Sequence, residues 1–235
     1  MGQPDVMDAF ASAAIACDLE KLDLAACQLT PACNPAFARL LSHTRLTHLT
    51  ISCDDNELIF DRRGALLFAA ALRTNTMLTW LSFSASPLWC DTAAGVALLG
   101  ALTNHPSLGY LKWSGEASVR YGASARAVAG AAFGALIAAD SEQLECLDIS
   151  HMQLGDEGLR FVAAALPFNA NLNELSLAYN DVSADFVQNE LIPALNLNTG
   201  LRFLILGSLG DEDDDIEQPQ AFVDAEALVS ARQRR

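Results

Sequence analysis

Six cysteines (Cys17, Cys27, Cys33, Cys53, Cys90, Cys146) and four histidines (His43, His48, His105, His151) are the residues of this 235-residue chain best equipped for chemistry. Their spacing supports little of it. No two cysteines form a Cys-x-x-Cys pair and the histidines lack ligand spacing to them, so no metal site is expected. His43 and His48 precede Cys53, but no oxyanion motif or nucleophile elbow accompanies them, and no catalytic residue is assigned. A Walker loop is missing, as is a dinucleotide glycine signature after a strand, so no cofactor is expected either. Thiols spread this thinly are those of a reducing intracellular compartment, the cytoplasm by default. The densest charge run, Asp211-Glu-Asp-Asp-Asp-Ile-Glu217, lacks the glycine and the ligand spacing of an EF-hand. It reads as a solvated loop ahead of a helix N-terminus, or as a lure for a basic partner.

Composition narrows the classes further. The 14 basic and 29 acidic residues leave a net charge of −15, which argues against nucleic-acid binding through phosphates. No apolar run approaches the ~18–20 residues of a bilayer span. Val6 to Cys17 is apolar enough to suggest a targeting segment, but Asp5 and Asp8 precede it without Lys or Arg, so a helix edge is the better reading. Apolar residues make up 51% of the chain and charged ones 18%, with 40 Ala and 37 Leu. That balance favours helices and aliphatic packing over an aromatic-rich β-sandwich.

The elements that must position any site follow from self-similarity. Leu-x-x-Leu-x-(apolar) occurs seven times, starting at Leu19, Leu46, Leu78, Leu108, Leu144, Leu172 and Leu201. Between these strand-like pieces lie helix-period segments: 35–42, 62–73, 92–103, 125–139, 156–166, 185–195 and 219–234. Alanine is frequent there because each helix packs closely on the sheet. Asp156 and Asp185 are candidate N-caps, Pro219 suits a first helical turn, and the closing Arg232-Gln-Arg-Arg235 suits a helix C-terminus. One domain is expected, because each repeat touches only its neighbours and the core is continuous. Residues 1–18 read as a capping helix or partial repeat, and 19–235 as the repeat array.

From Leu144-Glu-Cys-Leu-Asp-Ile to Leu206 the chain resembles leucine-rich repeats of the ribonuclease-inhibitor type. The resemblance rests on Leu154-Gly-Asp-Glu-Gly-Leu159 and on Leu172-x-x-Leu-x-Leu-x-x-Asn180, and is looser over 19–143. It implies an α/β solenoid, a curved horseshoe of about seven strand–helix repeats with a parallel concave sheet and outer helices. The family's buried asparagine column departs here, reading Cys27, Asp54, Ser86, Glu116, Met152, Asn180 and Leu209. Cys27 is an accepted small, buried substitute, whereas Met152 and Leu209 leave their turns in need of other hydrogen-bond partners.

Strand alternation then separates core from display. One outward column reads Lys21, His48, Trp80, Tyr110, Cys146, Glu174 and Phe203; the next reads Asp23, Thr50, Ser82, Lys112, Asp148, Ser176 and Ile205. His48, Trp80 and Tyr110 become spatial neighbours, the composition of a binding hot spot. The long spacing between the fourth and fifth repeats places an insertion at 115–124, from which Arg120 and Tyr121 extend that patch. The expected partner-binding set is therefore His48, Trp80, Tyr110, Lys112, Arg120, Tyr121, Cys146, Asp148, Glu174 and Phe203.

The resemblance implies a non-enzymatic scaffold or adaptor that binds a protein partner, alone or as a subunit of a larger assembly. The same subtype occurs in the Ran GTPase-activating protein, which offers a regulatory alternative. Bacterial effectors that target host ubiquitin ligation offer another, and the segments Gly64–Leu66, Gly100–Leu102 and Gly134–Leu136 are similar to repeats of plant-pathogen effectors. Cys146-Leu-Asp148 matches the Cys-x-Asp motif of ubiquitin-ligase effectors. In that family the motif lies in a separate helical domain, whereas here it falls on a repeat strand.

Overall fold

Each leucine motif forms a short strand because its alternating apolar residues have one face to bury. In a computed structural model of the chain, which describes residues 4–24, 27, 29–43, 45–52, 62–84, 89, 91–115, 121–207 and 218–234, seven strands form. They are β1 (Lys21–Leu24), β2 (His48–Ser52), β3 (Trp80–Ser84), β4 (Tyr110–Trp113), β5 (Cys146–Asp148), β6 (Glu174–Ser176) and β7 (Phe203–Ile205). All pair in parallel and in chain order, as one open sheet. The register aligns Leu22, Leu49, Leu81, Leu111, Leu147, Leu175 and Leu204 in a single row. From Leu49 onward that row is buried.

A helix, α1 (Pro4–Ala16), precedes β1, and further helices follow the strands: α2 (Asn34–His43), α3 (Arg62–Thr74), α4 (Thr92–Leu102), α5 (Ala123–Ala138) and α6 (Gly155–Ala165). Then follow α7 (Ala184–Phe186), α8 (Ile192–Leu197) and α9 (Gln220–Ser230). Strands stack about 4.8 Å apart and helices 8–10 Å apart, so the sheet must line the inside of the bend. This is the expected α/β solenoid. Met7, Ala11 and Ala14 of α1 are buried, and α1 packs on α2. The edge strand β1 exposes Lys21 and Asp23, charges that discourage pairing with another chain.

Several local expectations are corrected. Asp156 does not cap its own helix: its carboxylate accepts from the Ser183 hydroxyl (2.7 Å) and amide (2.9 Å), one repeat onward. Ser183, not Asp185, caps α7 by accepting from Phe186 N–H. Pro219 is the N-cap of α9 and lies outside its first turn. The expected 185–195 helix is interrupted by a π-helical stretch, Val187–Leu191, just before Pro193. Proline lacks an N–H and its ring crowds the preceding turn, so the regular ladder yields there. Arg232 does not simply face its own helix end; it reaches the carbonyls of Leu195 and Leu201. Burial, followed by Arg202, holds its pKa below the ordinary guanidinium value. Cys27 is half-buried, not buried. The core is also less purely aliphatic than composition implied, since Phe37, Phe68, Phe83, Trp113 and Phe133 form a continuous run of ring contacts at 5.1–6.0 Å.

A second polar column escaped sequence reading. Asn75, Asn169 and Asn198, each three residues before a repeat's first leucine, are buried. Each amide donates back to a carbonyl of the preceding repeat, such as Leu41 from Asn75 (2.9 Å) and Leu166 from Asn198 (2.7 Å). Each side-chain oxygen accepts from that first leucine's N–H at 2.8–2.9 Å. His105 occupies the same place in the fourth repeat, with both ring nitrogens buried and lacking a well-formed hydrogen bond. Burial holds its pKa below the ordinary 6.5, opposed by the nearby carbonyls of Asn75 and Leu72. The folded ring is therefore neutral where the unfolded one begins to protonate. Its contribution is fully present above about pH 6.5 and is lost as pH falls below it. His105→Asn is expected to lose less melting temperature than the parent between pH 7.5 and 5.5. Parallel pH profiles in thermal melts would refute this role.

Candidate inner-face interaction site

The two outward columns emerge in the anticipated register, although Ser82 of the second is buried, not displayed. Lys21, His48, Trp80, Tyr110, Cys146, Glu174 and Phe203 pair successively, as do Asp23, Thr50, Ser82, Lys112, Asp148, Ser176 and Ile205. Three rings of the first column meet. Trp80 stacks on Tyr110 with centroids 3.4 Å apart and planes 4° apart, and His48 lies against Trp80 at 6.2 Å and 15°. The Thr47 hydroxyl, 2.9 Å from His48 Nδ1, anchors the imidazole. Trp80 stays 38% exposed and Phe203 47% exposed, so neither large ring has been absorbed into the core.

Beyond Tyr110 the face turns polar. Lys112 Nζ lies 3.4 Å from Asp148 Oδ2, while Asp148 Oδ1 accepts from the Ser150 amide at 3.0 Å. The Cys146 thiol donates to Glu174 Oε2 at 3.5 Å. Burial first, then Glu174 and Asp148, pushes the Cys146 thiol up to about 12. Burial, then Asp148, Cys146 and Glu174, raises the Tyr110 phenol to about 12. Both groups are thus protonated donors near neutral pH, and Cys146 lacks the thiolate character of a nucleophile. These side chains line a cavity of about 340 Å³ across β4–β7.

The rim of that cavity carries a pair that sequence reasoning missed. His151 and Tyr179 hold the same place in successive repeats, each with left-handed backbone (φ 59° and 56°). Their rings stack at 4.1 Å and 12°. Bulky residues seldom adopt that backbone region, and such positions gather at functional sites. The available signal was their position just ahead of the asparagine column, at Met152 and Asn180.

Tyr121 packs, half-buried, against the hydrophobic core ahead of α5 and is absent from the cavity lining. Arg120 and the acidic run 211–217 lie outside the described residues. Among the described residues, no group of three or more His, Cys, Asp or Glu side chains is arranged to hold a metal. No described helix is long and apolar enough to cross a membrane.

The register, the row of buried leucines and the strand–helix alternation define a leucine-rich-repeat-like solenoid with a side-chain-rich inner face. Among solved structures the chain is similar to the actin-binding site 2 of leiomodin-1, with a TM-score of 0.52 at 14% identity. That match covers 71% of this chain and 87% of the leiomodin chain, and it shows the fold alone. No family model matches the chain, and no curated protein sequence matches it.

Proposed function

We propose that the chain is a non-enzymatic protein-interaction module of ribonuclease-inhibitor-like repeats, holding a protein partner against its inner face. The observation that carries this reading is the Trp80–Tyr110 stack, flanked by His48 and still open to solvent. Preformed aromatic platforms suit recognition because two-torsion rings lose little entropy on binding and bury large areas. The leiomodin likeness supports the scaffold and carries no partner with it. The subtype reading is supported by an α-helix in nearly every return and by the Asn180 turn.

The test is affinity capture from native lysate with the parent chain, followed by binding measurements on the recovered partner. Trp80→Ala and Tyr110→Ala are each expected to weaken that partner about 30-fold or more, the ~2 kcal/mol of a hot-spot ring. The far-UV spectrum should remain that of the parent. If both variants keep full affinity, the inner-face stack is not the interface.

A further inference from the structure

We propose that the cavity across β4–β7 receives an arginine side chain from the protein partner. This deepens the inner-face reading and rests on it. The cavity, about 340 Å³, falls at the small end of the ~300–1,000 Å³ range of ligand sites, enough for one long side chain.

Charge selects a cation. Lys112, the cation of the lining, is already engaged by Asp148. Asp148 in turn divides its two oxygens between that ammonium and the Ser150 amide. Glu174 is exposed and accepts from the weak Cys146 thiol donor. Among the described residues no cationic group pairs with Glu174. Tyr110 and Cys146 stay protonated, so Glu174 is the carboxylate left to meet an incoming positive charge. The −15 net charge of the chain draws a basic segment from a distance and repels an acidic or phosphorylated one.

Shape selects arginine. A guanidinium plane stacks on aromatic faces while its edge forks onto a carboxylate, which a compact ammonium cannot do together. The lining supplies both needs: rings from Tyr110, His151 and Tyr179, and the carboxylate of Glu174. Phe203, the register partner of Glu174, offers an apolar wall for the methylene stem.

The test uses the full chain and two small probes, N-acetyl-arginine amide and its neutral isostere N-acetyl-citrulline amide, followed by backbone amide NMR at low salt. Saturable shifts are expected at Cys146, Glu174 and Tyr179 with the arginine probe, and binding about tenfold weaker or less with citrulline. Glu174→Gln should weaken the arginine probe by a similar factor, that of one charge-assisted hydrogen bond, with an unchanged melt because Glu174 is exposed. Equal binding of the two probes, or arginine binding untouched by Glu174→Gln, overturns the assignment. Trp80 lies outside the cavity lining, which separates the two readings. Loss of partner capture in Trp80→Ala without arginine selectivity sinks the cavity alone. Arginine selectivity with capture insensitive to Trp80→Ala supports the cavity and removes the aromatic stack as the contact.

Discussion

Gly130→Ala is expected to lower the melting temperature by about 6–12 °C, the equivalent of roughly 3 kcal/mol at this chain length. The reason lies in the seam between α5 and α6. A Cβ at Gly130 would overlap the backbone carbonyl and Cα of Gly158, and neither can rotate aside as a side-chain tip could. The seam continues at Gly134, where a Cβ would sit 2.6 Å from the Phe161 carbonyl oxygen. From the opposite side, a Cβ on Gly158 would lie 2.8 Å from the Arg126 carbonyl oxygen. Three glycines therefore set the helix separation here, and even one methyl forces the helices apart. Gly100→Ala is the matched control. It lies on the exposed side of α4 with nothing within 4 Å of its Cβ. There the gain in helix propensity should stabilise by about 0.5–1 kcal/mol. Thermal melts of both variants decide the matter: equal midpoints would mean that α5 and α6 are not in backbone contact.

These glycines show how unevenly the sequence discloses the structure. Helix packing was legible in Gly130-Ala-Ala-Phe-Gly134, because glycines four apart in a helix share a face. Both display columns were legible too, since a parallel register with a constant return places corresponding residues side by side. Asp156 was not, because its carboxylate serves Ser183 of the next repeat, a contact that appears only once repeats are stacked. The Asn75, Asn169 and Asn198 column was present in the letters but sits outside the strand motif, where loop polarity conceals it. At the candidate site the difference is sharper. Trp80 beside Tyr110 follows from spacing, whereas the His151–Tyr179 rim needs a left-handed backbone that neither residue type advertises. Tyr121 shows the converse: nothing in the letters around it discloses that the ring packs half-buried against the core.

Asn180→Ala is expected to cost roughly 3 kcal/mol or more, because it strips three buried backbone groups of their partner at ~1–3 kcal/mol each. The Asn180 amide donates to the Ile149 carbonyl at 2.8 Å and to the Leu177 carbonyl at 3.0 Å. Its oxygen accepts from Leu154 N–H at 3.2 Å, and the Asn180 carbonyl takes Gly155 N–H at 2.8 Å. One asparagine thereby completes its own turn and that of the preceding repeat, where Met152 is fully buried and can do neither. This answers how a repeat without its asparagine closes: it borrows its neighbour's. Asn180→Asp is the more discriminating variant. It preserves the shape and the acceptor for Leu154 but aims a carboxylate at two carbonyls, so near neutral pH it should be at least as damaging as alanine. Protonation restores one donor, and the folded state therefore raises that carboxyl's pKa. Stability should then recover as pH falls, a direction opposite to the His105 effect. Hydrogen exchange should localise the alanine defect to the Leu154 and Gly155 amides, since each repeat leans only on its neighbours. Tyr179 and His151 flank this shared turn, so the same variant should also blunt arginine-probe binding. Unaltered exchange at Leu154 would show that Asn180 does not hold the two repeats together.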